Sequence, residues 1–178
     1  RDDPTSTSVK HTAPGGFKHE GATIRVSRDG PVVAYSGDDE RFEYVYKFIS
    51  DKTMRRDATR AARAHNKTLL TSGDLYVARF TGDSPASEIT GTGELPSDGA
   101  FDGGGEWLPL VQGGVSVVAG MSVAEVLVHT RIAADKVGAT KMDRPEDIEP
   151  NPATGKVYLA LTNNTNRGRI GFAGADEA

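Results

Sequence analysis

The sequence predicts a mainly β chain of short antiparallel strands, with one inserted amphipathic helix near residues 123–137. Three observations carry that reading. Hydrophobic residues make up only 37% of the chain, while glycine and proline number 21 and 9, the composition of many strands and turns rather than of a helical bundle. Several short stretches alternate apolar and polar residues with period two, as half-buried strands do. No strand–helix–strand rhythm of a parallel sheet is visible. Strands of this length fit a sandwich, a barrel or a propeller. A propeller blade takes roughly 40–45 residues and a closed ring needs ~4–8 blades, so this chain supplies about three and leaves the ring open. Residues 1–178 then form a single, incomplete β-propeller domain.

Residues 1–16 are polar and rich in Thr, Ser, Pro and Gly, a connecting segment with little to bury. Residues 22–26 (ATIRV) and 32–36 (VVAYS) read as a hairpin around the turn SRDGP. Residues 42–49 (FEYVYKFI) are dense in aromatic and β-branched side chains and predict a third strand. A basic cluster follows, with Arg55, Arg56, Arg60, Arg63 and Lys67 on a short surface helix or loop, most simply a solvated face. Residues 75–80 (LYVARF) predict another strand, and residues 81–121 a loop or insertion around Trp107. The helix over 123–137 opens with a capping box, in which the Ser122 side chain takes a free backbone N–H and Glu125 reaches back to the cap. Val123, Val126, Leu127, Thr130, Ala133, Ala134 and Val137 share one face, and Gly138 closes the helix. Residues 156–162 (KVYLALT) form the last strand, launched by the turn NPATG.

A net charge of −4 argues against a nucleic-acid reader, which needs surplus Lys and Arg along the phosphate backbone. The absence of cysteine excludes disulfides, thiolate metal sites and cysteine nucleophiles within these residues. No run approaches the ~18 apolar residues of a membrane span. A first residue of Arg1 suits a partial chain, so the lack of a signal peptide carries no information about export.

Four clusters can carry chemistry. In Lys18-His19-Glu20-Gly21 a carboxylate stands at a strand entrance beside a glycine, where a hard cation such as calcium can be approached closely; an ordinary exposed glutamate is the plain alternative. In Arg144-Pro145-Glu146, proline is expected to push Arg144 into an extended conformation, so that Arg144 and Glu146 project together toward a metal and an anion, or pair with each other. Asn163 and Asn164, in the turn after the last strand, offer amide oxygens to calcium or to substrate, or simply cap the strand. Asp38 and Asp39 lie in an acidic loop between strands, suited to a cation or to turn chemistry. The loop lacks the EF-hand spacing, no histidine pair has zinc-protease spacing, and neither a G-x-S-x-G elbow nor a P-loop is present.

Taken in order, residues 16–22 (GFKHEGA), 35–48 (YSGDDERFEYVYKF), 75–80 (LYVARF) and 130–164 resemble the PhoX family of calcium-dependent alkaline phosphatases. The resemblance implies an internal piece of a β-propeller phosphomonoesterase, exported to the periplasm or outside the cell, with calcium and ferric iron at the active site. Residue by residue, Glu20 and Glu146 resemble metal ligands and Arg144 resembles the arginine that holds the substrate phosphate. His19, Asp38, Asp39, Asn163 and Asn164 would line the same site. The implied partners are small phosphomonoester substrates, without nucleic acid. The family's cysteine and further acidic ligands have no counterpart here, which puts iron binding and catalysis by this chain alone in question. Two other readings stand beside it: a calcium-binding propeller fragment without activity, and an interaction scaffold.

Overall fold

In the computed structural model, residues 5, 7–82 and 103–166 are described. The hairpin read from the sequence forms as β1 (Thr23–Val26) and β2 (Pro31–Gly37). Its turn is closed by Ser27 N–H donating to the Pro31 carbonyl, with Gly30 at φ 97° supplying the left-handed step. The strand expected at 42–49 is two strands, β3 (Arg41–Glu43) and β4 (Val45–Thr53). The chain is redirected at Phe42, whose φ of 64° breaks the extended run. The basic segment contains one short helix, α1 (Arg60–Asn66), capped by the Thr59 hydroxyl accepting from Ala62 N–H. Arg60, Arg63 and Lys67 are exposed, as a solvated face requires.

Where the sequence suggested a loop or insertion over 81–121, residues 81–82, 103–112 and 115–116 are strand. The strand β5 (Gly73–Gly82) continues past Phe80, and β6 (Gly103–Gln112) pairs with it from Gly82↔Gly103 to Leu75↔Val111. The short β7 (Val115–Ser116) follows. Glycine-rich composition suggested a loop here, but a continuous ladder with β5 overrides weak strand propensity. Residues 83–102, the remainder of that expected insertion, lie outside the described residues.

The single helix expected at 123–137 is instead two, α2 (Val123–Val128) and α3 (Thr130–Val137), meeting at His129 with φ −112° and ψ 49°. The capping box between Ser122 and Glu125 forms as read, and Gly138 ends α3 at φ 72°. At the break, the buried Thr130 hydroxyl donates back to the Val126 carbonyl at 2.9 Å and accepts the Gly16 N–H at 2.9 Å. A side-chain hydroxyl competing for helix carbonyls is a recognised cause of such bending. The remaining strands are β8 (Met142–Asp143), β9 (Pro145–Pro150) and β10 (Val157–Leu161).

One six-stranded antiparallel sheet runs β1-β2-β4-β5-β6-β7, joined by two-stranded pairs β9–β10 and β3–β8. Strand alternation sorts its side chains to two faces. Tyr46, Phe48, Leu75, Val77 and Leu110 point one way, into a core closed by Val126, Ala133 and Ala134 of the two helices. Val45 and Ala78 point the other way, against Met142, Ile148 and Leu159. On this second face Lys47 lies over the rings of Tyr76 and Trp107, 4.9 and 4.6 Å from their centroids.

Candidate phosphate-binding and metal-ligating site

The candidate residues meet where the end of β2 crosses β9. The crossing is so close that a β-carbon at Gly37 would lie 2.7 Å from the Pro145 carbonyl carbon and 3.0 Å from the Glu146 oxygen. Only glycine fits there. Gly21 comes to the same place from the other side, facing the Glu146 carbonyl oxygen and Asp147 Oδ1 at 3.7 Å. The His-Glu-Gly and Arg-Pro-Glu segments, more than 120 residues apart in sequence, are therefore neighbours in space.

Arg144 does not adopt the extended conformation expected before a proline; its φ is 44°. A left-handed backbone at a residue with a long side chain is uncommon and costs about 1–2 kcal/mol. The local hydrogen bonds hold it there. Thr162 N–H, at the end of β10, donates to the carbonyls of both Asp143 and Arg144 at 3.1 and 3.2 Å. The guanidinium Nη2 then meets Asp39 Oδ1 at 2.7 Å and Glu146 Oε1 at 2.9 Å. Arg144 and Glu146 do project together, with Asp39 on the other side. Buried Asp39 Oδ1 touches the guanidinium as an ion pair rather than as a well-aligned hydrogen bond. The Arg144 side chain is 32% exposed, and neither Nη1 nor Nε makes a hydrogen bond among the described residues. Those N–H groups can serve an incoming oxyanion.

The turn after β10 supports this group. The Thr162 hydroxyl donates to Glu146 Oε1 at 2.7 Å, the same oxygen that meets the arginine. Asn164 Nδ2 donates to Asp143 Oδ1 at 2.7 Å, and its own Oδ1 accepts Asn166 N–H at 2.9 Å. Both functional ends of Asn164 are thus engaged within the protein. Asn163 is exposed.

His19 is held as part of the frame: Nδ1 lies 2.8 Å from Ser36 Oγ, Nε2 lies 3.2 Å from the Gly15 carbonyl, and the ring stacks on Phe17. Ser36 in turn donates to the Gly21 carbonyl at 2.6 Å. The histidine thereby braces the segment that presents Glu20, which is exposed.

Asp38 stands apart from Asp39. Its side chain is fully buried, and both oxygens accept from Arg131 of α3, Nε to Oδ2 at 2.7 Å and Nη2 to Oδ1 at 2.6 Å. Arg131 escaped the sequence reading because nothing in its neighbourhood distinguishes it from a surface helical arginine. Beside this pair Glu43 Oε2, 3.6 Å from Arg131 Nε, has no hydrogen-bond partner, and burial pushes its carboxyl up to about 7 against the pull of the guanidinium. The Tyr44 hydroxyl donates to Asp135, whereas the buried Tyr46 hydroxyl has no hydrogen-bond partner among the described residues. Burial, ahead of the nearby carboxylates, raises the Tyr46 pKa.

No group of three or more His, Asp or Glu side chains converges to hold a metal ion among the described residues. Asp39 and Glu146 are drawn to a guanidinium instead, so this donor set by itself does not fit a calcium or iron centre, which needs more ligands. An apolar cavity lined by Val45, Ala78, Trp107, Ile148 and Leu159 lies on the second face of the sheet; its wall includes none of these candidate residues.

The family described as alkaline phosphatase PhoX matches residues 1–178. A comparison with curated proteins finds no match. Among solved structures, Pseudomonas fluorescens PhoX in complex with vanadate, a transition-state analogue, is similar at 45% identity with a TM-score of 0.75 over 96% of this chain. The chain spans 27% of the length of that structure. Matched along its whole length, the chain belongs to the PhoX family of alkaline phosphatases.

Proposed function

We propose that this chain carries the phosphate-holding part of a phosphomonoesterase centre, built on a single partial β-propeller domain spanning residues 1–178. The observation that carries the reading is Arg144, held in a strained backbone between Asp39 and Glu146, with Nη1 and Nε making no hydrogen bond among the described residues. Strain at a polar residue in a cleft is a mark of function, since the surrounding structure must over-determine it. The vanadate bound by the Pseudomonas fluorescens relative is consistent with an oxyanion at such a place.

In this reading Arg144 binds phosphate oxygens by charge-assisted hydrogen bonds and stabilises the charge that gathers on them as the ester bond breaks. Asp39 and Glu146 fix the guanidinium before substrate arrives, so little reorganisation is needed on binding. Thr130 spends its hydroxyl proton on the Val126 carbonyl, which is no base, so it is not set up as a nucleophile. Glu20 and Glu146 are the proposed contributions to a calcium and iron centre, whose remaining ligands do not converge with them among the described residues. Asp39, Asn163 and Asn164 line the same region, and the substrates are small phosphomonoesters. Among the described residues no helix is long and apolar enough to cross a membrane, and a periplasmic or extracellular location belongs to this proposal.

The deciding experiment measures vanadate affinity and hydrolysis of an aryl phosphate by the 178-residue chain, with and without calcium, alongside Arg144→Ala and Glu146→Ala. Vanadate binding that falls at least about tenfold in Arg144→Ala, the scale of one charge-assisted hydrogen bond, supports the reading. Calcium-dependent turnover lost in both variants would show that the chain assembles a working site. A folded chain that binds calcium but not vanadate would overturn the reading in favour of a cation-binding fragment.

A further inference from the structure

Glu20 and the Asp39–Arg144 pair share no side-chain hydrogen bond or ion pair among the described residues, yet the segments that carry them both meet at one buried carboxylate. Asp38 Oδ1 accepts the Lys18 N–H at 3.3 Å, and Asp39 N–H returns to the Lys18 carbonyl at 3.0 Å. His19 and Asp38 form an isolated antiparallel bridge. The segment that ends in Glu20 is thus tied, backbone to backbone, to the segment that ends in Asp39. Asp38 N–H donates to the Tyr44 carbonyl at 3.0 Å, which fastens the same point to the start of β4.

Besides the Lys18 N–H, one side chain grips the Asp38 carboxylate. Arg131 grips both carboxylate oxygens in parallel, the fork geometry that only a guanidinium provides. Arg131 is carried by α3, whose inner residues Ala133 and Ala134 are wholly buried in the main core. A rigid helix therefore reaches across to the joint between the two motifs. Arg131 touches neither Glu20, Asp39 nor Arg144 in any recorded contact, so it has no direct part in holding a ligand.

We infer that Arg131 is a positioning residue: through Asp38 it sets the spacing between Glu20 and Asp39, and through Asp39 the orientation of the Arg144 guanidinium. The inference rests on the phosphate-binding reading of Arg144 for its functional consequence, and on geometry alone for the coupling itself. Replacing a bidentate arginine by lysine keeps the charge and can satisfy only one oxygen at a time, which frees Asp38 to rotate and Asp39 to shift. Supporting contacts of this kind typically change affinity or activity by about 10–100-fold when removed.

The test uses the 178-residue chain labelled with 15N-arginine. Without any ligand, the Nε–Hε resonance of Arg144, assigned by its loss in Arg144→Ala, is compared in the parent chain, Arg131→Lys and Asp39→Asn. The expected result is that Arg131→Lys moves the Arg144 resonance in the same direction as Asp39→Asn does. An unmoved Arg144 signal in a folded Arg131→Lys protein overturns the inference. Vanadate titration supplies the second readout: Arg131→Lys lowers affinity about tenfold in the parent background and has no further effect in Arg144→Ala. Equal losses in both backgrounds would mean general loosening and would also overturn it. Should Arg144→Ala leave vanadate affinity unchanged, the functional reading fails, while the ligand-free resonance still decides the role of Arg131.

Discussion

Asp38 and Asp39 are consecutive residues that each meet an arginine, and the two pairs occupy opposite environments. Asp38 is wholly buried and receives two parallel hydrogen bonds from Arg131. Asp39 is partly exposed and meets Arg144 Nη2, where Glu146 competes for the same nitrogen. Identical residue types thus serve as a joint in one case and as a receptor in the other. The difference lies in the carboxylates: both Asp38 oxygens accept hydrogen bonds from Arg131, whereas Asp39 Oδ1 accepts none among the described residues.

The comparison predicts unequal costs. Arg131→Met leaves Asp38 buried without its counter-charge and should destabilise the fold by about 3–5 kcal/mol in urea denaturation. Arg144→Ala removes a partly exposed pair and should cost no more than about 1 kcal/mol by the same measurement. Equal costs would erase the distinction between joint and receptor. A finer cut comes from the backbone at Arg144. With the side chain gone, glycine tolerates φ 44° and alanine does not, so Arg144→Gly should be more stable than Arg144→Ala by about 1 kcal/mol. The opposite order would mean that the left-handed conformation is imposed by the side chain and relaxes without it.

The smallest expected effect concerns Glu43, which borders the buried joint. Burial raises its folded pKa from the ordinary 4.5 to about 7, so between these values the folded state holds a proton that the unfolded chain has released. Its contribution is complete below about pH 4.5 and is lost as pH rises through about 7. Glu43→Gln should flatten that part of the stability–pH curve, measured by denaturation at a series of pH values. A curve unchanged by the substitution would place the titration elsewhere.

Much of this was legible in the sequence, for reasons that differ by element. The β1–β2 hairpin, the Ser122–Glu125 capping box and the closing Gly138 depend on local chemistry, and local chemistry is what a sequence displays. The association of Arg144 with Glu146 was legible too, because only two residues separate them. The strand β6 was hidden by its glycines, since its pairing depends on β5 and not on its own propensity. The break at His129 was hidden because Val126, Thr130 and Ala133 keep helical spacing across it, while the hydroxyl of Thr130 answers to Gly16, 114 residues away. The left-handed turn at Arg144 opposes the usual influence of a following proline and is held by Thr162, whose position the local sequence cannot reveal. Arg131 belongs to the same class: its importance lies wholly in a partner 93 positions earlier.

The crossing of Gly37 over Pro145 also sets an order of events during synthesis. The first motif leaves the ribosome long before the second, and closing so long a loop is entropically unfavourable until the contacts that reward it exist. Arg144 cannot be held in its strained backbone until Thr162 has emerged to donate to it. In the proposed reading, nascent chains from which that residue has not yet emerged lack a held Arg144, and oxyanion affinity should arise abruptly once the end of β10 has left the ribosome.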